Sequence, residues 1–265
     1  MTQRNVSLVI ADYLDRIGLA GVPEVDSDVE LVRRLADAQH RAIPFDNMLV
    51  HLGGCFTVDP VVIVDRLVER RLGGVCYQLN GLLAMVLERL GVEARLWGAR
   101  VRSERGLGPE GGHMAVVIDD EDGGEILVDV GFGGEAIWQR VDAADPASLH
   151  VTTGGAGYHL IPRARTLDEF DDVARWHSSS SESRITASVV CTLPRDGGRV
   201  TLAGRLGADR VIDYRLIELA GDDRVERPVP HDELAAVLAT EFGIAEDEAP
   251  RISRVVEHRR HVAHS

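Results

Sequence analysis

The chain has 265 residues, is 45% hydrophobic and carries a formal net charge of -14. That length and apolar content suit a substantial core in one large domain or a few small ones, and the acidic balance excludes nucleic acid as the main partner, because phosphate binding needs a dense basic face. The apolar runs fall short of the ~18 residues of a membrane span and the N-terminus lacks a basic start followed by an apolar stretch, so the expectation is a cytoplasmic protein with no membrane partner.

The first third reads as helical. Val6 to Ile17 places Val6, Val9, Ile10, Tyr13, Leu14 and Ile17 on one face of a 3.6-residue period. Asp28 to His40 repeats the pattern with Ser27 and Asp28 as candidate caps, and Pro60 opens a third helix through Ile63, Leu67 and Val68. A fourth runs from Tyr77 to Leu90 and stops at Gly91. Strands then follow: Ala94 to Arg102, His113 to Asp119 and Glu125 to Val130, the last two joined by an Asp/Glu/Gly turn. Val189 to Leu193 and Arg199 to Leu206 read as a hairpin, Val211 to Leu219 as one more strand, and His231 to Phe242 as a final amphipathic helix. The serine run Ser178 to Ser181 reads as a loop and the segment from Ala245 to Ser265 as a charged tail, whose His258, His261 and His264 lack the neighbours a metal site needs.

The chemistry concentrates on a cysteine. Two glycines, Gly73 and Gly74, deliver Cys76 to the start of the fourth helix, where unpaired N–H groups and the positive end of the helix dipole favour a thiolate. In chain order the partners of such a nucleophile follow: His113, to keep it deprotonated and move protons, and Asp129, to fix the tautomer and orientation of the imidazole. Cys55 and Cys191 read as inert core thiols, and no cysteine pair has metal-ligand spacing. All 29 basic residues are arginine, which rules out a lysine base or Schiff base.

These residues resemble the arylamine N-acetyltransferase family. The likeness rests on Ile43-Pro44-Phe45-Asp46-Asn47-Met48, on Gly73-Gly74-Val75-Cys76-Tyr77-Gln78-Leu79-Asn80, and on Val128-Asp129-Val130-Gly131-Phe132-Gly133. The stretch Val173 to Ser179 adds to it. The resemblance implies an α+β fold: a helical N-terminal bundle (1–92) carrying the nucleophile, a β-barrel-like middle (93–193) carrying histidine and aspartate, and an α/β C-terminal lid (194–265). The core would be similar to that of cysteine proteases and transglutaminases. Cys76 would take the acyl group, His113 activate it and Asp129 orient His113. Phe45 and Phe132 would line the acyl and amine pocket, and Gly133 would let substrate approach closely.

The activity so implied is transfer of an acyl group from a thioester, most simply acetyl-CoA as co-substrate, to an arylamine or hydrazine, with no permanently bound cofactor and no metal. An amide synthase using an acyl carrier protein and a carrier-bound polyketide keeps the same mechanism. A cysteine hydrolase or transglutaminase-like enzyme, or a protein that keeps only the fold, stands as the alternative of another class. The chain departs from the family's pattern in four places. Leu72 stands where the family has arginine, which leaves Arg71 as the expected partner of Asp46. Val75 replaces an aromatic neighbour of the cysteine, and Gly112 precedes His113 in place of threonine or serine. The segment between Gly134 and Asp172 is short, implying a hairpin missing or replaced over the pocket.

Overall fold

The computed structural model describes residues 9–104, 106–153, 155–206, 212–244 and 248. Helix α1 (Ile10–Arg16) is followed by α2 (Asp28–Ala42), whose first turn is capped by the Ser27 hydroxyl accepting from the Glu30 N–H at 3.3 Å. The cap satisfies a donor that the helix cannot pair internally. A two-residue strand, β1 (Phe45–Asp46), and two short helices, α3 (Met48–His51) and α4 (Pro60–Val64), lead into a π-turn over Asp65–Glu69, in which the Arg70 N–H reaches the Asp65 carbonyl at 2.8 Å. One continuous helix is expected from Pro60 to Val68. The wider turn interrupts it and rotates every later side chain out of α-helical phase. Helix α5 (Cys76–Leu90) includes Cys76 itself and ends at Gly91, whose φ of 81° is the left-handed conformation that favours glycine.

Seven antiparallel strands follow: β2 (Ala94–Ser103), β3 (Gly106–Leu107), β4 (His113–Asp119), β5 (Glu125–Asp129), β6 (Ile137–Val141), β7 (His150–Thr153) and β8 (Ala156–Arg165). Their order is β6-β5-β4-β2-β8-β7, with β3 beside β2. The stretch between Gly134 and Asp172 holds β6 and the hairpin β7–β8. The sheet curls until the Gln139 amide of β6 donates to the Ser148 carbonyl just before β7, at 2.7 Å. Among the described residues no ladder joins β6 to β7. The seven strands therefore form a curled sheet with an open seam.

Helix α6 (Asp171–Ser179) takes in Ser178 and Ser179, half of the expected loop. The strands β9 (Val189–Arg195), β10 (Gly198–Leu206), β11 (Ile212–Ala220) and β12 (Asp223–Val229) then extend β1 into a second sheet, against which α7 (Leu234–Phe242) packs Leu234, Val237, Leu238 and Phe242. The boundary expected between residues 193 and 194 falls inside β9, which is hydrogen-bonded to β1 on one side and β10 on the other. The ladder carries that unit back to residue 189. Val6, Val211 and the three tail histidines lie outside the described residues.

Alternation along β4 and β5 divides two cores. Met114, Val116, Ile126 and Val128 face α5, packing with Leu79, Leu82 and Leu83. Ala115, Val117 and Leu127 face the inside of the curl with Trp97, Tyr158 and Leu160. Each such fully buried aliphatic side chain contributes about 1.5–3 kcal/mol, so the register of these strands is strongly specified. None of the described helices is long and apolar enough to cross a membrane.

Candidate active site

Cys76 occupies the first turn of α5 and is 7% exposed. Two close approaches bring it there. A side chain on Gly73 would put its Cβ 2.5 Å from the Pro44 carbonyl, and one on Gly131 would put its Cβ 2.7 Å from the Cys76 Cα. Glycine is needed at both because α5 begins wedged between β1 and the end of β5. The Val75 N–H, just before the helix, is satisfied by the Gln78 side-chain carbonyl at 3.0 Å.

His113 opens β4 and Asp129 closes β5, and the strand period places both on the inner face of the curl. The His113 Nε2 donates to the Asp129 Oδ2 at 2.7 Å, and both side chains are nearly or wholly buried. Burial is the largest influence on His113 and disfavours its charge. The Asp129 carboxylate and then the Cys76 sulfur, each by charge and hydrogen bonding, outweigh it and push the imidazole pKa up to about 10. For Asp129 burial again leads and raises the carboxyl pKa. The positive charge of His113 and hydrogen bonds from His113, Asn80 and Gly131 more than reverse that and hold it below the usual carboxylate range.

Four residues beyond the expected set complete this arrangement. Tyr158 of β8 donates to the Asp129 Oδ2 at 2.7 Å, and its ring lies 4.6 Å from that of His113. Asn80 of α5 donates to the Asp129 Oδ1 at 2.8 Å. The turn before His113 is pinned twice: the Tyr77 hydroxyl donates to the Gly111 carbonyl at 2.8 Å, and the His177 Nε2 donates to the Gly112 carbonyl at 3.1 Å. The His177 Nδ1 then accepts from the Ser183 hydroxyl at 2.8 Å. Burial drives the His177 pKa down to about 4, which keeps the ring neutral and in this one tautomer. Asn80 and Tyr77 lie within the quoted cysteine motif, where spacing of four from Cys76 marks Asn80 as sharing its helix face. Tyr158 has no such local signal.

A family described as N-acetyltransferase matches residues 28–161. The arylamine N-acetyltransferase of Mycobacterium bovis is 36% identical over 226 residues, 76% of this chain and 79% of that protein. The chain belongs to the arylamine N-acetyltransferase family. It is accordingly an acyltransferase, and acetyl transfer to arylamines is the activity that membership supports. The enzyme of the same name from Mycolicibacterium smegmatis is 37% identical over 138 residues, a match that spans 50% of this chain and 49% of that protein. The fold is that of the Mycobacterium marinum arylamine N-acetyltransferase in complex with CoA, with a TM-score of 0.74 and 22% identity over 94% of this chain and 98% of that one.

This arylamine N-acetyltransferase family member differs from expectation at Asp46. Its partner is Arg66, inside the π-turn, whose Nη2 donates to the Asp46 Oδ2 at 3.0 Å while its Nε donates to the Gly73 carbonyl at 2.7 Å. Arg71 turns outward to Asp15 at 3.1 Å. Cys55 is exposed, against the expectation of a core thiol, whereas Cys191 is buried and its thiol is pushed up by burial. Phe132 meets the His113 ring edge-on at 5.0 Å. A Cβ on Gly133 would come 3.2 Å from the Phe45 ring, and both residues line a cavity of about 10 Å³. A larger cleft of about 720 Å³ runs past Arg102, Thr152, Gly157, Ser183 and Arg184. Ser183 of this cleft bonds His177, while Cys76, His113 and Asp129 do not line it. No group of three or more potential ligands that could hold a metal occurs among the described residues.

Proposed function

We propose that the protein transfers an acetyl group from acetyl-CoA to an arylamine or hydrazine by a two-step mechanism through Cys76, with His113 as acid and base and Asp129 as its orienting carboxylate. The observation that carries this reading is the buried Asp129–His113 bond of 2.7 Å beside a cysteine in the first turn of a helix. A protonated His113 flanked by Asp129 and the Cys76 sulfur is the setting of a thiolate–imidazolium pair. The Cys76 thiolate attacks the thioester carbonyl, a new C–S bond forms, and the CoA thiolate leaves with the His113 proton. The acceptor nitrogen then attacks the acyl-cysteine, His113 takes a proton from the amine, and the Cys76 thiolate is expelled. The first exchange is between thioesters and nearly isoenergetic; amide formation makes the second downhill. The two half-reactions share one site, so ping-pong kinetics follow.

Phe132, against His113, would contact the acceptor ring, and Phe45 with Gly133 would bound the acyl side. The arylamine N-acetyltransferase names of the relatives and the CoA complex of the structural neighbour favour this donor and acceptor over a carrier-bound polyketide or hydrolysis. Incubation with excess acetyl-CoA is expected to add one acetyl group at Cys76, detected by intact and peptide mass spectrometry, absent in Cys76→Ala and discharged by an aryl amine. Selective alkylation of Cys76 by iodoacetamide with no acetyl adduct would remove acetyl-CoA as the donor.

A further inference from the structure

The triad is spread over α5, β4 and β5, and one side chain outside it reaches all three. Asn80 is wholly buried and sits one turn along α5 from Cys76. Its Nδ2 donates to the Met114 carbonyl, next to His113 on β4, at 2.7 Å, and to the Asp129 Oδ1 at 2.8 Å. Its Oδ1 accepts from the Val130 N–H, just past Asp129, at 3.0 Å. An asparagine amide has two donor hydrogens and one carbonyl, so this side chain is engaged in both senses.

The consequence is sharpest at Asp129. A carboxylate has two oxygens with two lone-pair directions each. The Oδ1 takes Asn80 and the Gly131 N–H, at 2.8 Å each, and the Oδ2 takes His113 and Tyr158, at 2.7 Å each. We propose that Asn80 is a positioning residue for acyl transfer, clamping the helix that bears Cys76 to the two strands that bear His113 and Asp129 and fixing the carboxylate rotation that aims the Oδ2 at His113. Gly131 is the complement of this clamp, since a Cβ there would sit 2.8 Å from the Asn80 Nδ2. The inference rests on the Cys-His-Asp reading of the site. The titratable groups that face this cluster are Cys76 and Tyr77 of α5, His113 of β4, Tyr158 of β8, His177 of α6 and His40 of α2.

Two variants separate positioning from packing. Asn80→Ala deletes all three contacts, whereas Asn80→Asp keeps the shape and the acceptor for the Val130 N–H but loses the amino group. Both are expected to lower kcat on the order of 100-fold, with the KM for acetyl-CoA unchanged because Asn80 is walled off from substrate. The pH profiles should then diverge. Two carboxylates in contact cannot both ionise, so the new acid in Asn80→Asp can donate to Asp129 only while it holds its proton. Its kcat optimum moves to lower pH, while Asn80→Ala stays low at every pH. Circular dichroism and thermal melts establish that the variants fold. A kcat near wild type in either folded variant, or an Asn80→Asp profile that is only a scaled copy of the Asn80→Ala one, overturns the inference. Failure of both to fold would overturn it too, by showing that Asn80 holds the fold as a whole. The wild-type control is the iodoacetamide reactivity of Cys76 against that of exposed Cys55. A Cys76 no faster than Cys55 would bring down the underlying mechanism, whatever the variants do.

Discussion

Asp129 does more in this site than hold a ring in place. Fully buried, it faces a His113 whose pKa lies at about 10 against an ordinary 6.5, so the imidazole is charged at neutral pH. Asp129→Asn removes the charge that sustains it and can present an amide N–H where His113 needs an acceptor. The expected loss in kcat is about 10⁴-fold, the scale seen when a triad aspartate is amidated. The His113 titration midpoint, read by NMR, should fall from about 10 toward the ordinary value. The effect on stability has a definite sign. A pKa raised on folding stabilises in full below the unfolded value of 6.5, and that stabilisation is lost as pH rises through about 10. The melting-temperature gap between wild type and Asp129→Asn is therefore widest just below pH 6.5 and narrows as the pH rises from there toward about 10. A gap that widens above pH 10 would contradict the assignment. Cys76, His113 and Asp129 are legible in the sequence because each sits in an ordered, glycine-marked motif. Tyr158 and His177 are not, since nothing local tells a tyrosine on a strand with a proline, or a histidine in a serine-rich helix end, that Asp129 or the Gly112 carbonyl waits across the fold.

The π-turn before the glycine pair shows how one backbone irregularity can relocate a side chain. The family's motif points to Arg71, the arginine nearest the glycine pair, and the sequence offers no sign that the Leu72 N–H will reach the Arg66 carbonyl at 2.9 Å. With the wider turn, Arg66 swings into the core, and Arg71 takes a φ of 52°, left-handed for a residue with a side chain. Burial pushes the Asp46 carboxyl up against the pull of Arg66, so the pair contributes little net energy while intact. Breaking it is another matter. Arg66→Ala leaves Asp46 buried and unpaired and frees the Gly73 carbonyl, an expected cost of about 3–5 kcal/mol in denaturant unfolding. Arg71→Ala removes only an exposed contact to Asp15 and is expected to change stability by roughly 0–1 kcal/mol. A large loss in Arg71→Ala with a small one in Arg66→Ala would mean that Arg71, not Arg66, serves Asp46. Helix α2 is readable because burial on one face imprints a period, and α5 and the strands β4 and β5, buried on more than one face, are readable as apolar runs bounded by glycine or charged turns. The strands β6 to β8 and β12 are not, because edge and near-edge positions carry charge and proline in place of an alternating pattern.

The same charges act on the whole molecule. A sheet that does not close leaves edges, and the second sheet ends on β12, Asp-Arg-Val-Glu-Arg-Pro-Val, of which only Val229 is buried. Proline at 228 removes a donor from that edge, and Arg224 and Arg227 place charge along it, paired to Glu226 and Glu233. Both devices discourage a second chain from adding a strand. The net charge of -14 works in the same direction by keeping chains apart, and it does so less as salt is added. Val225 is already 62% exposed there, so replacing Arg224 and Arg227 by valine makes three of the first five β12 residues apolar and β-branched. The double variant is expected to form soluble aggregates in light scattering, more at high salt. Acetylation of Cys76 in the remaining unaggregated protein should be unchanged, because β12 lies at the far edge of the sheet from β1, which bridges to Gly74 in the loop before Cys76. Loss of Cys76 acetylation without aggregation would instead tie this edge to the site, and the charged strand would then need a role in the reaction.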